Sequence, residues 1–294
     1  MEIAKMKRFP RLALVAALVC SPLLAHAAVN VVAGENFYGD VAQQIGGSHV
    51  RVTSILSNPD QDPHLFEASA STAKALSDAR LVVYNGIDYD PWMDKLLSAA
   101  KAPQRKTVVA GELLKRKTGD NPHLWYDPAT MPAVAKAIAS GLESADPAHK
   151  ADYDHNLQHF LASLQPLNAK VQALRGKYAG KPVTATEPVF GYMAEALGLK
   201  MRNEKFQLAV MNNTEPAASD IAAFENDLKT HAVNVLFYNS QASDQSAKRV
   251  QKVARAAKVP VVGVTETAPA GKHYQEWMLS QLNSLDKALG GSGK

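Results

Sequence analysis

Apolar residues along this chain come in two rhythms. Short runs rich in Val, Ile and Leu, bounded by Gly, Asn, Asp or Pro, alternate with stretches in which apolar positions recur every three or four residues. The runs predict strands at 29–33, 50–56, 80–86 and 107–110, with helices at 69–78, 92–100 and 131–142. Asp90-Pro91 opens the second of these helices. The later part of the chain repeats the scheme, with strands at 182–186, 233–238 and 259–264 and helices at 192–197, 218–230, 243–257 and 273–289. Strands that alternate with helices predict βαβ units and parallel sheets. Between the two series lies a segment at 147–178 in which Tyr153, Leu157, Phe160, Leu161, Leu164, Leu167, Val171 and Leu174 form one stripe. Asp146 can cap it, Pro147 suits its first turn, and Pro166 should kink or interrupt it. A straight helix of about 30 residues reaches roughly 45 Å, the length of a domain. The expected fold is therefore α/β: two Rossmann-like lobes with parallel sheets, at 28–146 and 179–294, joined by one long backbone helix at 147–178. A chain of 294 residues is long enough for two lobes with separate cores. The tail Gly290-Gly291-Ser292-Gly293 is expected to be disordered.

The first residues do not belong to this scheme. Lys5, Lys7, Arg8 and Arg11 precede an apolar stretch, 12–24, that is too short and too weakly apolar for a good membrane span. Ala25-His26-Ala27 then supplies a small-x-small cleavage signal, so residues 1–27 read as a signal peptide cut after Ala27. A lipoprotein would use Cys20, but Val19 fits poorly before such a cysteine. Cleavage removes Cys20, the only cysteine, so no disulfide and no thiolate ligand remain. It also lowers the net charge from +4 to about +1, which gives no case for nucleic acid or an anionic membrane. The composition, 46% hydrophobic and 20% charged, is globular, and the expected product is a soluble, exported monomer.

Candidate chemistry centres on two histidines 59 residues apart in matched settings, Asp62-Pro63-His64-Leu65-Phe66 and Asn121-Pro122-His123-Leu124-Trp125. The proline holds the backbone extended before each imidazole, and the apolar residue after it places the ring at the edge of a packed surface. Glu187 and Glu266 each lie just past an apolar, β-branched run, where open parallel sheets place their ligands. Taken singly, each of the four reads as a solvated loop side chain; together they form a donor set suited to a divalent first-row ion. Asn85, Tyr126 and Asp127 are candidates to orient the imidazoles from behind. His155 and His159, four apart, fall off the apolar stripe and read as a solvated face. His49, His149, His231 and His273 show no partner pattern. Trp92, Trp125 and Trp277 read as packing residues. No His-Glu-x-x-His, Gly-x-Ser-x-Gly, P-loop or Gly-x-Gly-x-x-Gly motif is present.

The chain resembles the periplasmic solute-binding proteins of manganese/zinc ABC transporters, the cluster 9 (A-I) family, over nearly all of the mature sequence. The resemblance rests on Asp62-Pro63-His64-Leu65-Phe66-Glu67, Leu81-Val82-Val83-Tyr84-Asn85-Gly86, Pro91-Trp92-Met93-Asp94-Lys95-Leu96-Leu97, Pro122-His123-Leu124-Trp125-Tyr126-Asp127-Pro128, Phe190-Gly191-Tyr192 and the Thr265-Glu266-Thr267 turn. It implies two α/β lobes on one long helix, with His64, His123, Glu187 and Glu266 as first to fourth metal ligands. Zinc-type members commonly carry histidine at the third position, where this chain has Glu187, and the fourth is commonly aspartate rather than Glu266. The His-rich acidic loop frequent in zinc-type members is absent from 111–121, where Lys115, Arg116 and Lys117 make the segment basic.

The implied activity is capture of one divalent ion between the lobes and delivery to the membrane subunits of an ABC permease driven by a cytoplasmic ATPase. The periplasm is the expected location. Carboxylate donors favour a harder ion and place Mn²⁺ slightly ahead of Zn²⁺, with Fe²⁺ also possible; the Irving–Williams order still lets Zn²⁺ bind most N/O sites more tightly. Imidazoles must be neutral to bind, so affinity should fall at acidic pH. No enzymatic role is expected, because four protein ligands leave a zinc-sized ion no position for an activated water. The alternatives are a siderophore- or haem-binding protein of the same shape, a periplasmic metallohydrolase, and a secondary adhesion role.

Overall fold

The structure, a computed structural model, describes residues 27–58, 66, 69–242 and 244–291. His64 and most of its loop lie outside the described residues.

The first lobe is a four-stranded parallel sheet of β1 (Val29–Glu35), β2 (Val50–Leu56), β3 (Leu81–Tyr84) and β4 (Lys106–Val109), in the order β2-β1-β3-β4. The second lobe repeats that topology with β5 (Pro182–Ala185), β6 (Lys200–Arg202), β7 (Leu236–Asn239) and β8 (Val261–Val264), ordered β6-β5-β7-β8. Strands β1 and β3 are buried almost throughout, as expected of a parallel sheet covered on both faces. In each lobe the connections leave in opposite directions from the two central strands. A crevice therefore opens at the carboxyl ends of β1 and β3, and again at those of β5 and β7.

The predicted strands and most helices fall within a few residues of their expected bounds, including α2 (Ala70–Asp78), α3 (Pro91–Ala99) and α5 (Thr130–Ala145). Two short helices, α4 (Ala110–Leu113) and α9 (Glu204–Met211), and strand β6 were not predicted. Nor was α1 (Asn36–Gly46), which has no side-chain cap at its start and carries Gly39 within it. Its Phe37, Tyr38, Val41, Ala42 and Ile45 are nevertheless fully buried. The linking segment is a 3₁₀ turn at Pro147–His149 followed by α6 (Lys150–Ser163) and α7 (Gln165–Tyr178), two helices rather than one. They meet at Leu164, with Pro166 in the first turn of α7, where a proline needs no backbone donor. Beyond it come α8 (Gly191–Ala196), α10 (Ala218–Lys229), α11 (Gln245–Ala256) and α12 (Tyr274–Gly291). Gly290 and Gly291, expected in a disordered tail, close α12 instead.

The lobes do not have separate cores. One cluster of buried side chains runs from Val31 and Phe37 through Trp125, Tyr126 and Phe190 to Phe237 and Trp277. Its ring pairs carry it across the molecule: Phe37–Trp125 at 4.6 Å, Tyr126–Phe190 at 5.5 Å and Phe190–Phe237 at 4.4 Å between centroids. Smaller clusters sit on the outer sheet faces, around Val82 and Met93 in the first lobe and Phe206 and Phe224 in the second. The aromatic residues that looked like local packing in the sequence thus weld the two lobes together.

Candidate metal centre

Strand order in the second lobe determines which side chains meet. Strand β7 lies between β5 and β8, so its last residue, Asn239, sits between the loops that leave its neighbours. Glu187 stands just past β5 in an extended conformation, fixed by Pro188 behind it. Glu266 stands just past β8. The Asn239 amide nitrogen donates to both carboxylates, to Glu187 Oε2 at 2.9 Å and to Glu266 Oε1 at 2.5 Å. Asn239 Oδ1 accepts from the Gln241 backbone N–H at 3.0 Å, and Gln241 Oε1 accepts in turn from the backbone N–H groups of Glu266 and Thr267 at 2.5 and 3.1 Å. These groups are held with little freedom: Glu187, Asn239 and Glu266 are buried, Glu266 completely.

The first lobe brings His123 against this cradle. Asn121 Oδ1 accepts from the His123 backbone N–H at 3.2 Å and lies 2.7 Å from its Nδ1, while Asn121 Nδ2 donates to the Pro188 carbonyl at 2.8 Å. That last bond fixes which end of the amide faces the ring, so Nδ1 carries the proton and the Nε2 lone pair is available to a metal. Nε2 is fully buried, has no hydrogen-bond partner among the described residues, and lies 3.6 Å from Glu266 Oε2. The buried Nε2 lone pair thus faces a carboxylate across 3.6 Å, a pairing of nitrogen and oxygen donors that suits a cation between them.

The three residues expected to stand behind the imidazoles act one step further away. Asn85 donates to the Pro122 carbonyl at 2.8 Å and accepts from Tyr38 Oη at 2.8 Å, which fixes the chain leading into His123. The Tyr126 hydroxyl lies 2.8 Å from both the Thr265 carbonyl and Gln281 Oε1, against the Glu266 turn. Asp127 accepts from the Ala129 N–H at 2.9 Å at the entry to α5 and faces Arg116 at 3.5 Å. None of the three bonds to the His123 ring. Asn121 does, and the sequence hides it because Asn before Pro is an ordinary turn signal.

Beneath the site, at the carboxyl ends of β1 and β3, sits a buried acid pair. Glu35 is fully buried and Asp90 nearly so, the latter accepting from the backbone N–H groups of Asn85 and Gly86 at 2.8 Å each. Burial, and then the charge of Asp90, raises the Glu35 carboxyl well above its usual range; burial also raises Asp90, whose backbone hydrogen bonds oppose the shift. The neighbouring Tyr89 phenol is raised by burial first and then by the charges of Glu266 and Glu35.

Three histidines that looked partnerless have partners. His49 and His149 stack at 3.8 Å, with Asp152 3.0 Å from the first and Asp146 2.6 Å from the second. His273 Nδ1 lies 2.6 Å from Asp40 across the lobe junction. These partners lie 103 and 233 residues away or in a tight turn, where periodicity does not look. His155 and His159 lie on the outer part of α6, away from the buried Tyr153 and Phe160. Among the described residues, no three His, Cys, Asp or Glu side chains converge as a ready-made metal shell. The described part of the centre is one imidazole, one carboxylate facing it and a second carboxylate tied to the first through Asn239.

Comparisons with known proteins agree with this architecture. A chain from Streptococcus cristatus, the metal ABC transporter substrate-binding lipoprotein ScbA, is 26% identical over 279 residues, spanning 89% of each chain. The manganese ABC transporter substrate-binding lipoprotein PsaA of Streptococcus pneumoniae is 25% identical, again over 89% of each chain. Among solved structures, the periplasmic zinc-binding protein TroA from Treponema pallidum superposes with a TM-score of 0.76 at 20% identity, covering 90% of this chain and 99% of that one. The laminin-binding protein Lbp of Streptococcus pyogenes gives 0.73 at 23% identity, covering 90% and 100%. At these identities the two structures establish the fold. The family described as zinc-uptake complex component A, periplasmic, matches residues 31–288, and the chain belongs to it.

Proposed function

We propose that this protein captures one divalent transition-metal ion, Mn²⁺ or Zn²⁺, between its lobes and hands it to the membrane subunits of an ABC permease. The observation that carries this reading is His123. Its ring is fully buried at the lobe junction, Asn121 commits its Nδ1, and its Nε2 faces the Glu266 carboxylate at 3.6 Å. Glu187, tied through Asn239, is the third donor of the proposal, and His64, which lies outside the described residues, is the fourth. The imidazole nitrogens and carboxylate oxygens suit either ion: oxygen favours the harder Mn²⁺, while the Irving–Williams order favours Zn²⁺. The chain's departures from the zinc-type pattern at Glu187 and Glu266 give Mn²⁺ a slight lead by donor type alone.

Export to the periplasm with cleavage after Ala27 fits a fold whose first strand opens at Val29. ScbA and PsaA are lipoproteins. In this chain Val19 before Cys20, and a soluble-type cleavage signal after it, support a product released without a lipid. On the proposed division at 28–146, 147–178 and 179–294, His64 and His123 come before the α6–α7 segment in the chain and Glu187 and Glu266 after it. The reading is of a carrier rather than a catalyst.

Isothermal titration of the metal-free mature protein tests it. One Mn²⁺ or Zn²⁺ should bind per chain, and His123→Ala should weaken binding by at least about 100-fold, since it removes a direct ligand where an outer partner alone contributes about 10–100-fold. Unchanged affinity in His123→Ala would overturn the site.

A further inference from the structure

We propose that Asn121 is an interlobe latch, a positioning residue that keeps the proton of the neutral His123 ring on Nδ1, away from the metal, while the 188–192 segment of the second lobe holds it. The inference rests on the metal-capture reading above and names what controls release from that site. Asn121 belongs to the first lobe, yet the second lobe grips it at three points. Its Nδ2 donates to the Pro188 carbonyl at 2.8 Å, and its own backbone carbonyl accepts from Tyr192 Oη at 2.8 Å. Gly191 lets the amide pass, since a Cβ there would lie 2.7 Å from Asn121 Nδ2. On its other side Asn121 Oδ1 serves His123, with the backbone N–H at 3.2 Å and the ring Nδ1 at 2.7 Å.

The consequence follows from what an amide offers at each end. A neutral imidazole carries one proton, on either nitrogen, and its hydrogen-bond partner decides which. An amide oxygen facing Nδ1 holds the proton there and leaves the Nε2 lone pair to a cation. The same amide turned over would present N–H instead, draw the proton to Nε2 and close that nitrogen to a metal. Two bonds oppose the turn. One, from the His123 backbone N–H to Oδ1, lies within the first lobe; the other, from Nδ2 to Pro188, comes from the second. Among the described residues Nδ2 has no other acceptor. Pro188 directly follows Glu187, so a shift of that one segment loosens one proposed ligand and the residue that orients another. The His123 ring is fully buried, whereas a groove of about 430 Å³ lined by Asn121, Pro188, Gly191 and Tyr192 opens beside the contact. The latch is therefore reached from outside without entering the metal site.

Nitrogen-15 NMR of metal-free residues 28–294, at a pH where His123 is neutral, reads the tautomer, and chelator competition reads the affinity for Mn²⁺ and Zn²⁺. In the wild type the His123 proton should sit on Nδ1. In Asn121→Ala the Nε2-protonated form should appear, and both ions should bind about 10–100-fold more weakly, the range for partners behind a metal ligand. Tyr192→Phe and Gly191→Ala remove no hydrogen bond to His123 and cover the case in which Asn121→Ala does not fold. Each should move the tautomer the same way and weaken binding about two- to tenfold, the cost of ordering one side chain on binding. A wild-type ring protonated on Nε2 would overturn the latch, and so would folded variants in which either the tautomer or the affinity keeps its wild-type value. A merely structural role would lower affinity and leave the tautomer unchanged. Wild-type protein that binds neither ion would overturn the metal site itself, a separate outcome, because the tautomer is read without metal.

Discussion

Glu35 keeps its proton where the unfolded chain would have released it. Its carboxyl is fully buried, and desolvation followed by the charge of Asp90 holds it well above the ordinary 4.5. The sign follows from linkage: ionising Glu35 costs more in the folded state, so this group's contribution worsens as pH rises from the ordinary value through the raised one, and the cost vanishes below both. Glu35→Gln should therefore be the more stable protein at pH 8 by about 1 kcal/mol or more, since even a tenfold loss of acidity on folding is worth that much. Its advantage should shrink towards pH 4; denaturant melts at both pH values measure it, and a variant less stable than wild type at pH 8 would contradict the assignment. Residues of this kind are the hardest to see in the sequence. Glu187 and Glu266 are legible because each follows an apolar run that could only be a buried strand, and His123 because of its Pro-His setting. Asn239 and Asn121 look in sequence like any strand-end or turn asparagine, and Glu35 like a solvated loop acid. Their roles come from which strands lie side by side, and a single sequence does not state strand order.

Elements are legible where their pattern is local and obscured where a neighbour decides. Helix α1 escapes the periodicity because its capping signal is missing and glycines sit at 39, 46 and 47; packing against β2 and the central core makes it a helix regardless. The glycines are there for close approach. A Cβ on Gly46 would lie 2.3, 2.4 and 2.8 Å from the three branch carbons of Val50, a stiff β-branched side chain at the start of β2. Gly46→Ala should cost about 1–3 kcal/mol by overpacking. Gly176, within α7, meets nothing within 4 Å of a Cβ, so Gly176→Ala should stabilise by up to about 1 kcal/mol. Chemical denaturation of the two variants checks both signs at once, and a neutral Gly46→Ala would show that α1 is not packed as described. The break at Leu164 is foreseeable from Pro166, because the steric reason for it is written in one residue.

At the scale of the whole molecule, the shared core sets how the protein can work. Asn36 exchanges two hydrogen bonds with Ala268 across the junction, at 2.8 and 3.0 Å, and Asp40 accepts from the Tyr274 N–H at 2.8 Å and meets His273. Asp40 also raises the His273 imidazole, so this contact contributes fully at low pH and is lost as pH rises through the raised value. Its exposure keeps that contribution small. With aromatic packing running unbroken from one sheet to the other, wide opening of the lobes would expose a large apolar area, at about 25 cal/mol per Å². Capture and release should therefore proceed by loop and side-chain motions around a nearly fixed frame. The topology of each lobe, two central strands with diverging connections, is foreshadowed by the βα alternation; the fusion of the cores is not, because buried aromatics do not announce which lobe they face. The most direct test of the account is native mass spectrometry of residues 28–294, purified without chelator, beside the His64→Ala/Glu187→Ala double variant. One divalent ion on each wild-type chain and none on the variant is the predicted result. A wild-type chain that carries no metal even after titration with Mn²⁺ and Zn²⁺ would contradict it.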